Sequence, residues 1–182
     1  LMIIGLMGRS GSGKTYVQKA VQHLFDDSLD LDQLGHRILL QKDIKTMLKS
    51  EFGNTIIVDG EIARDRLREI VFSSKKALAF LNRLCHPRMK KYAEHWAQKI
   101  ENGLIVGSLI YQIKINKVCN AIISIDATDL EIHKYSPDRK LILDSQPSRE
   151  WYNSHADLIL KNTWNLSFSK YCTEKIEKIL RV

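Results

Sequence analysis

The sequence predicts an α/β protein built on a parallel sheet of five strands flanked by helices. Three observations lead there. Short continuous apolar runs, "MIIGLM" (2–7), "GLIVGSLIY" (103–111) and "NAIISIDA" (120–127), have the pattern of strands buried on both faces. Segments with helical periodicity separate them. The first run also passes directly into a glycine-rich loop and then a helix, which is how a βαβ unit begins.

Each element follows in order. Val17, Ala20, Val21, Leu24 and Phe25 fall at helical spacing, so a helix starts near Lys14. "SLDLD" (28–32) reads as the second strand. Residues 33–102 are mostly helical: Leu34, Ile38, Ile44 and Leu48 come first, then "ARDRLREIVF", then the stretch from Phe80 to Ile100. Pro87 is expected to break or kink that stretch, because it lacks an N–H and crowds the preceding turn. After the two further apolar strands, Ser136-Pro137-Asp138 opens a polar, basic segment with a short helix. "ADLILKN" (156–162) returns as a strand, and Phe168, Cys172, Ile176, Ile179 and Leu180 make a closing amphipathic helix.

The 182 residues are 44% hydrophobic and 27% charged, enough for one globular body with room for a lid. Cys85, Cys119 and Cys172 lie far apart with no CxxC pair, which argues against a disulfide framework or zinc ribbon and for structural thiols in a reducing, cytoplasmic setting. No run of eighteen apolar residues predicts a membrane span, and the N-terminal run lacks the basic leader and cleavage site of a signal peptide. The net charge of +7 suits a polyanionic ligand. Nucleic acid is disfavoured, because Lys and Arg are dispersed and not interleaved with aromatics. A monomer or weak oligomer is expected.

"GRSGSGKT" (8–15) fits G-x-x-x-x-G-K-[ST], the phosphate loop of P-loop NTPases, in the strand–loop–helix context the motif requires. Gly8, Gly11 and Gly13 let the backbone curl so that successive N–H groups form an anion nest at a helix N-terminus. Lys14 can reach the β- and γ-phosphates, and the Thr15 hydroxyl can ligate Mg²⁺. Gly8, Ser10, Gly11, Ser12, Gly13, Lys14, Thr15 and Tyr16 are therefore the candidate ATP-binding residues.

The acceptor side is expected at the end of the second strand. In a strand, Asp30 and Asp32 of "DLDQLGHR" project to the same side, where one could accept or orient a hydroxyl proton. The other reading makes Asp32 a cap for a helix that starts at Gln33.

At this point the chain resembles the dephospho-coenzyme A kinase family. The family's P-loop and D-x-D-x-(I/L)-(A/G)-(R/H) motif correspond to "GRSGSGKT" and "DLDQLGH". "GEIARDRLREIVF" (60–72), "LCHPRM" (84–89) and "SQPSREWYNSHADLILKN" (145–162) follow in the family's order and spacing. The resemblance implies ATP-dependent phosphorylation of the ribose 3′-hydroxyl of dephospho-coenzyme A. It implies Asp32 as the base or orienter of that hydroxyl, with His36, Arg64 and His86 in a helical acceptor-binding region and Asn162 near the adenine. The implied organisation is a core of residues 1–32, 103–127 and 155–182, an acceptor region 33–102 and a lid 128–148.

Three positions depart from the family. Gln112 stands where the family has glutamate, Arg9 stands at the P-loop's usual second glycine, and the lid is short. Arg139 is the one arginine between residues 130 and 146, with Lys134 and Lys140 beside it, so it is the candidate cation for the transferred phosphoryl group. Two other readings stand beside the leading one: a related small-molecule kinase with a different acceptor, and a nucleotide-binding homologue without turnover.

Overall fold

The computed structural model describes residues 1–181, with the side chain of Arg139 outside the description. The chain opens with β1 (Met2–Met7), α1 (Lys14–Val21), β2 (Asp27–Asp30), α2 (Leu31–Leu39) and α3 (Lys42–Phe52). A small hairpin of β3 (Ile57–Val58) and β4 (Glu61–Ile62) precedes α4 (Arg64–Ser73) and α5 (Lys75–Ala97). Then come β5 (Asn102–Val106), β6 (Ala121–Asp126), α6 (Asp129–Tyr135), α7 (Lys140–Ser145), α8 (Arg149–Ser154), β7 (Leu158–Lys161) and α9 (Ser167–Leu180).

The five-stranded sheet has the order β2-β5-β1-β6-β7, and every pairing in it is parallel. The expected α/β class and strand number are therefore observed. Strand alternation divides the core. Ile4, Leu6, Ile123 and Ile125 face α1 and α9, where Val17, Phe168, Cys172 and Ile176 are buried. Ile3, Met7 and Ile105 face the opposite layer, with Leu31, Leu34, Ile38 and Met89. Because all strands run the same way, the loops after β1, β2, β5, β6 and β7 meet along one edge, and ligands of such sheets bind outside that edge.

Several boundaries differ from the sequence reading, each for a local reason. The second strand stops at Asp30, because the Asp30 carboxylate accepts from the N–H groups of Asp32 (2.8 Å) and Gln33 (3.0 Å) and so starts α2. Asp30 and Asp32 are thus not two residues on one side of a strand: Asp30 is the cap and Asp32 lies in the first helical turn. The run 103–111 leaves the sheet after Val106. Of its remaining apolar residues, Ile110 is fully buried in the turns beyond the strand end. Pro87 does not break α5, which stays continuous on the buried face of Cys85, Met89 and Ala93. The helical break falls instead at Ser74, whose hydroxyl accepts from the Ala77 N–H at 3.3 Å.

Gly107 sets where α2 sits. A Cβ there would lie 2.7 Å from the Leu31 Cβ, and Leu31 is fully buried at the head of the helix. Gly107→Ala is therefore expected to cost about 1–3 kcal/mol by overpacking. In a chain of this size that lowers Tm by roughly 2–12 °C, and thermal unfolding followed by circular dichroism checks it.

Candidate active site

The loop between β1 and α1 curls because its glycines adopt backbone that other residues avoid. Gly8 and Gly13 have φ of 146° and 104°. Space is also limiting: a Cβ on Gly8 would meet the Ile125 carbonyl at 2.6 Å, and one on Gly13 the Asn162 amide at 2.5 Å. The loop is thus pressed onto the ends of β6 and β7. Lys14 is buried, and its ammonium donates back to the carbonyls of Gly8 (3.0 Å) and Arg9 (2.9 Å), spanning the loop it closes. The Ser12 hydroxyl is buried with no hydrogen-bond partner among the described residues, a donor inside the anion nest. Thr15 and Tyr16 are exposed at the start of α1.

Asn162 fastens this loop from behind. Its amide donates to the Ser12 carbonyl (2.9 Å), its side-chain oxygen accepts from the Trp164 N–H (2.8 Å), and its own N–H bonds to the Asp126 carbonyl (2.8 Å). At 4% exposure it is a buried staple between the phosphate loop and the turn after β7.

Two further groups stand across the edge. Asp32 is exposed in the first turn of α2. Behind it the Tyr152 hydroxyl donates to the Ser108 carbonyl at 3.0 Å, and burial pushes its pKa up to about 12. Gln112 draws that pKa back down, and its own side-chain oxygen is buried without a partner among the described residues. On the helical side, the structure brings together two of the three predicted acceptor residues: Arg64, heading α4, meets the His36 ring of α2 at 3.0 Å. His86 lies on α5, half-buried, with its Nε2 unpaired among the described residues and its pKa lowered by burial.

Sequence reasoning did not single out the charged network at the end of β6. Asp126 is 5% exposed and accepts both arms of the Arg149 guanidinium (2.5 and 2.6 Å) together with the Asn153 amide (2.8 Å). Its signal was a lone acid at the end of an apolar run. Nor did it find the ties between the phosphate loop and α6–α7. Arg9 pairs with Asp129 and donates to the Leu143 carbonyl at 2.7 Å, and the Ser10 N–H donates to the Gln146 side chain at 2.9 Å. Arg139 belongs to the turn Pro137–Arg139 between α6 and α7; its side chain lies outside the described residues.

A phosphate loop on the first strand of a parallel sheet, with a carboxylate across the strand ends and two short helices beside it, defines a P-loop kinase fold. The family model described as dephospho-CoA kinase matches residues 2–167. The chain belongs to that family. It is 32% identical to a dephospho-CoA kinase of Fusobacterium nucleatum over 178 residues, covering 91% of this chain and 92% of the relative. It is 29% identical to one of Dehalococcoides mccartyi over 192 residues, covering 98% and 97%. The solved dephospho-CoA kinase of Campylobacter jejuni has the same fold, with a TM-score of 0.73 at 22% identity, covering 97% of this chain and 96% of that one.

The Asp126 pair makes a pH prediction. Hydrogen bonds from Arg149 hold the Asp126 carboxyl below its ordinary value of 3.8. The pair's stabilisation is then fully present above that unfolded value and is lost as pH falls through the lower folded one. Asp126→Asn is expected to be less stable than wild type near neutrality, and to lose less stability between about pH 5 and pH 3. Urea titrations across that range measure the difference; parallel acid limbs would refute it.

Proposed function

We infer that this chain transfers the γ-phosphoryl group of ATP to the ribose 3′-hydroxyl of dephospho-coenzyme A, giving coenzyme A and ADP. The family match over residues 2–167 carries the reading, because it contains the phosphate loop and the acceptor-side motif in one stretch. Phosphoryl transfer passes through a loose transition state, so most of the work is positioning and charge stabilisation.

The residues divide that work. The nest from Gly8 to Gly13 and the Lys14 ammonium hold the phosphates, and Tyr16 flanks the loop. Thr15, exposed at the start of α1, would hold a Mg²⁺ together with the nucleotide phosphates, and the ion would supply positive charge there; a site of this kind needs few protein ligands. Asp30 is committed to capping α2, which leaves Asp32 as the carboxylate that orients the acceptor hydroxyl. His36, Arg64 and His86 belong to the acceptor region formed by residues 33–102. Asn162 acts from the nucleotide side, through its hold on Ser12 and Trp164. Arg139 in the 128–148 lid supplies charge above the γ-phosphoryl. The site of action is cytoplasmic, as a monomer or weak oligomer; no helix among the described residues is long and apolar enough to cross a membrane.

A coupled assay of ADP release, with and without dephospho-coenzyme A, tests this. Release that depends on dephospho-coenzyme A is expected; release independent of it, or none, defeats the reading. Asp32→Asn is expected to lower kcat by about tenfold to a hundredfold with ATP affinity unchanged. If Asp30→Asn were crippling and Asp32→Asn harmless, the two roles are reversed.

Within the lid, Arg139→Ala is expected to lose far more kcat than Lys134→Ala or Lys140→Ala, since lysine does not reproduce a guanidinium fork. Near wild-type kcat in the arginine variant would move the lid charge elsewhere.

A further inference from the structure

The phosphate loop carries an arginine at a position the anion nest does not need. Arg9 follows Gly8, and its side chain turns away from the loop to cross the strand edge. It is 8% exposed, an unusual burial for a residue type that is seldom buried without a partner. One arm of the guanidinium pairs with Asp129 in the first turn of α6, and the other donates to the Leu143 carbonyl near the end of α7. A single side chain thus touches both short helices of the 128–148 segment. The neighbouring Ser10 N–H adds a bond to Gln146, just past α7. On the far side, the Arg68 guanidinium of α4 donates to the Asp138 carbonyl at 3.3 Å.

The apolar support for this segment is thin. Ala127, Ile132 and Leu143 form a small cluster of their own, with Trp164 packed against it. Helices of seven and six residues are too short to hold themselves. The polar ties therefore decide where the segment sits, and the buried guanidinium is the strongest of them. The charge also reaches the acceptor side. The Tyr152 hydroxyl, raised by burial, is eased down by Arg9 and pushed up by Asp32, so all three share one local field.

We propose that Arg9 is a positioning residue that latches the lid onto the phosphate loop, coupling closure of the 128–148 segment to the loop that grips the nucleotide. This rests on the kinase reading above. The latch has a built-in specificity of geometry: only a planar fork spans an ionic partner on α6 and a carbonyl on α7 at once, which an ammonium does not. It also accounts for an arginine inside a loop whose chemistry needs none there.

The test compares wild type with Arg9→Gly, Arg9→Lys and Asp129→Asn, using steady-state kinetics with ATP and dephospho-coenzyme A, and trypsin cleavage after Lys134 and Lys140. Arg9→Gly is expected to lower kcat by about tenfold to a hundredfold through lid misplacement, with KM for ATP changed by less than about threefold. Its lid is expected to be cut several-fold faster. Asp129→Asn is expected to reproduce both effects in weaker form and to add little to Arg9→Gly, because residues acting through one contact are non-additive. Arg9→Lys is expected to recover only part of the loss. An Arg9→Gly enzyme with wild-type kcat and wild-type lid cleavage overturns the proposal. So does one whose KM for ATP rises as sharply as its kcat falls, since Arg9 would then be a phosphate ligand. Should Arg9→Gly not fold, Asp129→Asn decides, the Asp129 side chain being half exposed. Wild-type protein without acceptor-dependent ADP release would defeat the kinase reading alone, and the cleavage rates would still decide the latch.

Discussion

The site depends on a contact too close for any side chain. The phosphate loop lies against the Ile125 carbonyl and the Asn162 amide at distances that a single methyl group on Gly8 or Gly13 would violate. This fixes more than the loop. It places the first N–H groups of α1 over the sheet edge, and α1 in turn packs Val17 and Val21 against Phe168, Cys172 and Ile176 of the last helix. The chain's beginning and end are locked together through that one approach. An anion nest is useful only if its N–H groups stay aimed when the ligand is gone, and a loop with nowhere to relax keeps that aim.

The same edge gathers charges of both signs that the strands bring there from distant parts of the chain. Lys14 and Arg9 come from the loop after β1, Asp30 and Asp32 from the end of β2, and Asp126 from the end of β6 with Arg149 beside it. They are not equivalent. Asp30 and Asp126 have their oxygens committed, to a helix N-terminus and to a guanidinium. Committed carboxylates order the backbone; an exposed one at a helix start can meet a substrate. The division of labour among the acids thus follows from hydrogen bonding, where sequence spacing alone had paired Asp30 with Asp32.

What the sequence made legible was local. The glycine loop, the helix after it and the five apolar strands are written in contiguous residues, and all are present. Family motifs extended that reach to the acceptor side. Element ends were harder, because caps and tertiary contacts decide them: the Asp30 carboxylate ends one strand by starting α2, and Gly107 against Leu31 seats that helix, with no periodicity in either segment to announce it. The hairpin of β3 and β4 carried a visible Asp59-Gly60 turn signal, both residues having positive φ, but strands of two residues leave no alternation to read. Pro87 argues for a break or kink by a sound local rule. The buried stripe of Cys85, Met89 and Ala93 outweighs the missing hydrogen bond. The pairing of Arg9 with Asp129 joins residues 120 positions apart, and nothing in either neighbourhood points to the other.

The 128–148 segment is where these themes meet. Its helices are short, its apolar cluster is small, and its ring contact, Tyr135 stacked on Trp164 at 4.3 Å, lies next to the Asn162 staple. A segment with so little core belongs to the low-stability end of a fold, which is where moving elements are found. Among the described residues its polar ties run to the phosphate loop on one side and to α4 on the other. Each of those anchors is itself fixed, the loop by Asn162 and α4 by Leu67 and Val71 in the core. A segment bound by its own core would sit in one place whatever its neighbours did. One held by polar ties to both takes its position from them.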